Sequence, residues 1–403
     1  MRMTQLDRRI LSVDLLRGIV MIIMLLDHTR EYVNADAFLF SPTDLSKTIV
    51  ALFFTRWITH FCAPTFVFLS GVSIYLQRTH GKSGAELTRF LLTRGLWLIV
   101  LEFTAVRFAV FFDFDYSLMG LAEVIWVFGV SMIAMALLVR LPTWVSGALG
   151  LLMIFGHNLL DKAGPAPAMG GGEIGFVQAI WIFLHQPGFV PLFGVTKVFV
   201  AYPLIPWIGV MSAGYALGKV YEWDSDRRRR ALLAIGAVAT VAFILIRFIN
   251  VYGDPSSWIP QPRSGFTILS FLNTTKYPVS LLFLLMTLGP ALLFLGLTDR
   301  VRGANLFHRI AITFGRVPLF YFILQMVVAH LAGVILGYFA GFDVGFWFTN
   351  YPFSETVKPP EAYGFSLATT YAAWIAGLIV LYPLCTWYGN LKRRSGHWIF
   401  SYL

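Results

Sequence analysis

The residues of this sequence best suited to chemistry lie in its first apolar stretch, SVDLLRGIVMIIMLLDHTREY. There Asp14, Arg17, Met21, Met24 and His28 recur at spacings of three and four. On a helix these spacings share one face, and at about 1.5 Å per residue Arg17 and His28 stand about 16 Å apart along it. His28 is the first catalytic candidate, because an imidazole changes charge near neutral pH and takes a proton from a hydroxyl or an amine as a general base. Asp27 is the second, as a carboxylate that orients or charge-stabilises such a base, with Glu31 as the alternative for that role. Asp27 is rotated about 100° from His28. In a regular helix the expected local pairs are therefore Asp27 with Arg30 and His28 with Glu31, while Asp14 pairs with Arg17 at the other end of the face.

The surrounding sequence says what must position these groups. Of the 403 residues, 57% are hydrophobic and only 13% charged, whereas a soluble domain needs about 25% charged residues to cover its surface. An ordinary water-soluble protein is excluded. At about 20 residues per span plus connectors, this length holds about ten spans, and the chain reads as one all-α polytopic membrane domain, residues 1–403. Runs of mostly apolar residues place the spans near 11–33, 48–77, 89–112, 118–140, 143–160, 198–221, 231–251, 277–298, 314–340 and 365–389. The segment at 176–186 is too short to cross and reads as an interfacial or re-entrant helix. MRMTQLDRRI passes directly into the first segment without a small-residue cleavage site, so the first helix is expected to stay.

The net charge of +10 would suggest nucleic acid in a soluble protein, but here the basic residues cluster between apolar runs, as the positive-inside rule describes. With the N-terminus (Arg2, Arg8, Arg9) cytoplasmic, Arg78, Lys82, Arg89, Arg140, Lys219, Arg227 to Arg230, Arg300, Arg302, Arg309 and Lys392 to Arg394 fall on the same side. About 18 basic residues then lie inside against about seven outside. Both termini are expected in the cytoplasm, and the three long connectors near 161–197, 252–276 and 341–364 outside. The expected setting is the lipid bilayer of the inner (plasma) membrane; nucleic acid is not an expected partner, and a homodimer is left open. Cys62 and Cys385 both lie inside expected spans, and no disulfide framework, metal spacing, Walker A, HExxH or GxSxG pattern is present.

Ionisable residues within spans usually face a protein-lined cavity or one another, because charge at the bilayer centre is expensive. The second segment carries Arg56 and His60 one turn apart, then Pro64, whose ring removes the helical bond to the His60 carbonyl and kinks the helix. The third carries Arg94, Glu102 and Arg107, with Glu123 of the fourth expected to pair with Arg107. Asn273 and Lys276 stand at the mouth of the eighth, and Arg316, Gln325 and His330 lie along the ninth. By depth, Asp27, His28, Arg30, Arg56, His60, Glu102, Lys276 and His330 fall in the outer half, which implies a polar cavity open to the outside. Arg30, Arg56, His60, Glu102, Lys276 and His330 are accordingly the candidate substrate-binding residues, with Arg56, His60 and Lys276 suited to stabilising an oxyanion or binding an acceptor. Arg94, Arg107 and Arg247, near span ends, also suit snorkelling. His80, His157 and His185, in or beside loops, read as solvated or interfacial.

The stretch from Arg9 through Asp14, Arg17 and Gly18 to Asp27-His28-Thr29-Arg30 resembles bacterial membrane proteins grouped with the catalytic domain of heparan-α-glucosaminide N-acetyltransferase. The similarity runs on through Cys62-Ala63-Pro64-Thr65-Phe66-Val67-Phe68-Leu69-Ser70-Gly71, Arg94-Gly95-Leu96-Trp97 to Glu102, and Tyr202-Pro203-Leu204-Ile205-Pro206-Trp207-Ile208-Gly209. It is strongest over residues 1–220. The resemblance implies acetyl transfer across the bilayer, in which cytoplasmic acetyl-CoA is the acyl donor, its pantetheine arm enters the bundle, and a polar acceptor is modified on the far side with a histidine in the chemistry. Arg17, Arg94 and Arg316 would then hold the donor's phosphates. In the family's lysosomal member an asparagine occupies the position matching His28 and the catalytic histidine lies in the following loop. This sequence has no histidine between His28 and His60, so His28 takes that role by its place in the cavity.

The expected function is therefore a membrane acyltransferase that moves an acetyl group to a hydroxyl or amine of an extracytoplasmic acceptor such as a sugar or envelope glycoconjugate. The alternative is a multi-span transporter, for which buried charges and broken helices are equally natural. Against it stand the lack of a convincing internal repeat and the crowding of polar residues into the first four spans.

Overall fold

The computed structural model describes residues 10–79, 81–165, 174–194, 196–301, 305–354 and 356–395. Arg2, Arg8, Arg9, His80 and Arg302 lie outside them. The chain is mostly helical, and a helix stands at each of the ten expected positions. Among the described residues, six helical stretches are long and apolar enough to cross a membrane: Val50–Thr79, Thr143–Leu160, Ser225–Ile249, Leu281–Thr298, Pro318–Phe339 and Leu367–Ser395. The other four fall short for physical reasons. α1 (Leu11–Val33) is long enough but carries Asp14, Arg17, Asp27 and Arg30, and α4 (Gly84–Leu101) carries Glu86, Arg89 and Arg94. α6 (Val124–Leu138) and α9 (Leu204–Leu217), of 15 and 14 residues, are too short alone.

α1 runs through the middle of the bundle and packs on α13 (Leu306–Gly315), α14 (Pro318–Phe339), α15 (Leu367–Ser395) and α3 (Cys62–Thr79). Lipid is as apolar as a leucine side chain, so helices in a bilayer associate through close packing at small residues. The seams of α1 with α13 and of α3 with α9 show this. A Cβ added at Gly18 would lie 1.7 Å from the Ala311 carbonyl oxygen, and one at Gly71 would lie 2.0 Å from that of Met211 on α9. Neither backbone contact tolerates a side chain.

The second expected span is broken, as its proline requires. α2 (Val50–Trp57) leads into a 3-10 turn, Ile58–Phe61, before α3 begins, and Pro64 sits in the first turn of α3, where its missing N–H costs nothing. The third starts earlier than its apolar run, because Ser83 and Glu86 form a reciprocal capping box. It continues through a π-helical turn, Glu102–Val106, into α5 (Arg107–Phe111).

Two expected span starts are instead strands. β1 (Leu118–Ala122) pairs in parallel with β3 (Lys197–Val200), with Leu121 opposite Phe199, and β2 (Gly188–Pro191) pairs antiparallel to β3, with Phe189 opposite the same Phe199. Short apolar runs carry no period that separates a buried strand from a helix. Pairing with each other satisfies the backbone groups that face β3, which non-helical chain inside a bundle needs. α7 (Thr143–Gly156) precedes β2 and β3 in the chain, and α8 (Phe176–Leu184), nine residues and about 14 Å long, is too short to cross.

Two buried arginines hold the long loops. Arg107 does not pair with Glu123 and does not snorkel; its guanidinium donates to the Asp113 carboxylate at 2.7 Å, to carbonyls of Leu118, Asp113 and Asp115, and to Asn350 Oδ1 at 2.9 Å. Arg247, at the end of α10 (Ser225–Ile249), is equally buried. It donates to the carbonyls of Ser256, Phe271, Ser270 and Asn273 at 2.7 to 3.1 Å, with Asp254 at 4.0 Å. Asp254 in turn accepts from Thr275 N and Oγ1 and from Ser280 Oγ, so the short segment holding Lys276 and Tyr277 is clamped on both sides before α12 (Leu281–Thr298) begins.

Replacing Arg247 by Met takes a donor from four carbonyls, of which that of Ser270 keeps the Asn273 N–H, at about 1–3 kcal/mol for each buried group left unsatisfied. The Arg247→Met variant is expected to melt well below the parent in detergent. Arg247→Lys, with one compact ammonium for four acceptors, should recover less than half of the loss, and a Met variant as stable as the parent would show that the carbonyls find other partners.

Candidate active site

A cavity of about 560 Å³ runs beside α1 and joins two chemically different ends. The Arg17 end is basic, lined by Arg17, Gln77, Lys82, Arg94 and Lys392. Arg17 donates to Asp14 Oδ1 at 3.2 Å, as its spacing requires, and also to Ser73 Oγ and the Gly315 carbonyl. Lys82 donates to Gln77 Oε1 at 2.7 Å and lies 3.6 Å from the centre of the Phe90 ring. Between the ends the lining is apolar, with Met24, Phe66, Leu98, Met132 and Phe322 among the residues exposed to the cavity.

The far end gathers His28, Asp27, Glu31, Glu102, Glu123, Tyr202, Lys276 and Tyr277. Nδ1 of His28 faces Oε2 of Glu31 at 3.2 Å, while Nε2 makes no hydrogen bond among the described residues. That leaves one imidazole nitrogen for a ligand. Asp27 serves differently. Its Oδ1 accepts from Arg30 at 3.3 Å and its Oδ2 accepts from Arg56, so both oxygens are taken, while Arg30 reaches on to Glu31 Oε1 at 3.3 Å. The arrangement is one chain of charges, Arg56 to Asp27 to Arg30 to Glu31 to His28, in which Glu31 is the carboxylate that touches the base.

Glu102 lines the cavity from the first residue of the π turn, a helix irregularity often found at functional sites. Its carboxylate accepts from the backbone N–H of Trp126 in the first turn of α6. A negative charge there meets unsatisfied donors and the positive end of the helix dipole. Glu102 thereby fixes α6, and with it the backbone of Glu123.

Of the residues singled out in the sequence, Arg17, Asp27, His28, Arg94, Glu102 and Lys276 share this cavity. Arg30 and Arg56 stand behind Asp27. Three are elsewhere. His60 is buried against Phe283, with ring centres 5.0 Å apart, and His330 stacks on Phe112 and Tyr32 at 3.9 and 4.7 Å; depth alone put both in a polar cavity, but aromatic rings from other elements close around them. Arg316 lies 3.8 Å from Asp14 Oδ2, outside the lining. His157 and His185 are not solvated but buried: His157 Nε2 faces the Val279 carbonyl at 2.8 Å, and His185 Nε2 pairs with Asp161 at 2.9 Å.

Sequence reading passed over several cavity residues. Lys82 and Lys392 counted only as topology marks, and Glu123 was assigned to Arg107. Tyr202 and Tyr277 each precede a proline, Pro203 and Pro278, just before a buried helix, and that repeated Tyr-Pro pair was the available signal.

No curated protein matches the chain. The family model for heparan-α-glucosaminide N-acetyltransferase, catalytic, matches residues 9–252, which include α1, the Lys82 and Arg94 region and Glu123. The match spans more than half of the chain, and the protein belongs to the heparan-α-glucosaminide N-acetyltransferase catalytic-domain family.

Proposed function

We propose that this membrane protein is an acyltransferase that draws an acetyl group from acetyl-CoA at the Arg17 end of the cavity and passes it to an acceptor hydroxyl or amine at the His28 end. The observation that carries this reading is the single cavity with a basic mouth, an apolar middle and a histidine facing its far part. Phosphates suit the first, where Lys82, Arg94 and Lys392 offer charge-assisted donors. A thin, mostly apolar arm suits the second. In this reading the arm covers the distance of about 16 Å along α1 from Arg17 to His28 and brings the thioester to the imidazole.

At the far end His28 Nε2 takes the proton of the acceptor as its oxygen or nitrogen attacks the thioester carbonyl. The C–S bond then breaks, and the proton leaves with the thiol. Glu31 stabilises the imidazolium formed in between, and Asp27, with both oxygens bound by arginines, holds Arg30 and Arg56 in place. In this reading the positive-inside bias puts the Arg17 end in the cytoplasm and the acceptor outside the plasma membrane.

In purified protein, His28→Ala is expected to lower acetyl transfer or acetyl-CoA hydrolysis about 10²- to 10⁴-fold, the range of one general base, at unchanged folded yield. Parent-like turnover would remove His28 from the mechanism. Glu31→Gln should cost less than His28→Ala, while Asp27→Asn should chiefly cost stability, by leaving two buried guanidinium groups short of a counter-charge. At the donor end, Lys82→Ala with Lys392→Ala is expected to raise KM for acetyl-CoA by about tenfold, the loss of about 1.4 kcal/mol of binding, with kcat little changed. An unchanged KM would place the donor elsewhere.

A further inference from the structure

The far end of the cavity carries two charges that the protein does not answer. Among the described residues, the Glu123 carboxylate and the Lys276 ammonium make no hydrogen bond and no ion pair, although both line the cavity and lie within electrostatic reach of each other. The other carboxylates there are engaged. Asp27 is held between Arg30 and Arg56, Glu31 by Arg30 and His28, and Glu102 by the backbone of α6. The nearest described aromatic group to Lys276 is Tyr277, whose ring centre lies 5.1 Å from Nζ. Both segments are also firmly placed, Glu123 by the Glu102 cap on α6 and Lys276 by the Arg247 and Asp254 clamp. Two positioned, half-buried and unpaired charges of opposite sign are costly at this depth unless a ligand completes them.

We propose that Lys276 and Glu123 are the acceptor's specificity residues, and that the acceptor is a small polar molecule carrying both an anionic group, carboxylate or phosphate, and an N–H or O–H donor. The anionic group pairs with Lys276. The donor faces Glu123, which lies within electrostatic reach of His28 and Glu31, and so turns the neighbouring nucleophile toward the imidazole. Tyr202 and Tyr277, with ring centres 5.5 Å apart, form the wall against which the ligand's body rests. This deepens the acyltransferase reading and rests on it for the word acceptor, but the binding claim stands on the two charges.

The test uses the full chain in detergent and two pairs of probes that differ in one anionic group, ethanolamine with phosphoethanolamine and glucosamine with glucosamine 6-phosphate. Binding is measured by calorimetry without acetyl-CoA, and acetyl transfer separately. The anionic member of at least one pair is expected to bind at least tenfold more tightly. Lys276→Met should bring that pair to parity, Lys276→Arg should restore much of the preference, and Glu123→Gln should weaken both members while keeping their ratio. Equal binding of both members in each pair, including no binding of either, overturns the proposal, as does a preference that survives in Lys276→Met. Should the preference appear and vanish as expected while no probe is acetylated and no acetyl-CoA is cleaved, the binding site stands and the acyltransferase reading falls.

Discussion

Charge withdrawn from water into a bilayer must be answered by opposite charge or by fixed dipoles, and most of this structure follows from how that is done. α1 alone carries Asp14, Arg17, Asp27, Arg30 and Glu31 along its length. Lipid is no place for such a helix, so it lies inside the bundle, and the helices around it supply Arg56, Ser73 and the carbonyl of Gly315 as partners. The same accounting explains why Arg107 and Arg247 reach backbone carbonyls rather than the membrane surface. A guanidinium has five donors in a fixed fork, and a folded loop offers carbonyls in number where a carboxylate offers only two oxygens. Each arginine therefore ties a long connector to the bundle at several points.

Rigidity bought in this way reaches the cavity along three routes. Arg247 and Asp254 fix the segment of Lys276 and Tyr277, Glu102 fixes the start of α6 and so Glu123, and the Arg56, Asp27 and Arg30 chain fixes Glu31 against His28. None of these holding groups has to touch a substrate. A cavity whose polar residues are each held from behind by satisfied charges needs little rearrangement when a ligand enters, which lowers the ordering cost of binding and keeps reacting groups aligned.

The parts of this arrangement that are local in sequence were readable from sequence. The pairs Asp14 with Arg17, Asp27 with Arg30 and His28 with Glu31 all lie three residues apart, and helical geometry alone decides them. The break before Pro64 was readable for the same reason. Longer contacts were not. That Arg107 joins Asp113 and Asn350 rather than Glu123 depends on where the loop after α14 returns, and no spacing encodes it. His60 lies one turn from Arg56 and His330 lies on a mostly apolar helix, and Phe283, Phe112 and Tyr32 from other elements close over them. LMGLA and KVFV are too short to reveal a period, so two strands passed as the starts of spans.

The histidine itself shows why local order was enough for part of the site and not for all of it. In a helix, residues 27 and 28 diverge by about 100°, so one turn of α1 presents an acid and a base in different directions. The chain uses both directions: Asp27 turns back to bind arginines and anchor the helix, and His28 turns toward the cavity with Glu31 one turn on. A carboxylate adjacent in sequence was thus unavailable to the base because it was needed for structure, and the carboxylate three residues later was available because Arg30, shared between them, balances both. The anchor and the base are coupled through that one arginine, and the placement of the imidazole is inseparable from the burial of the charges beside it.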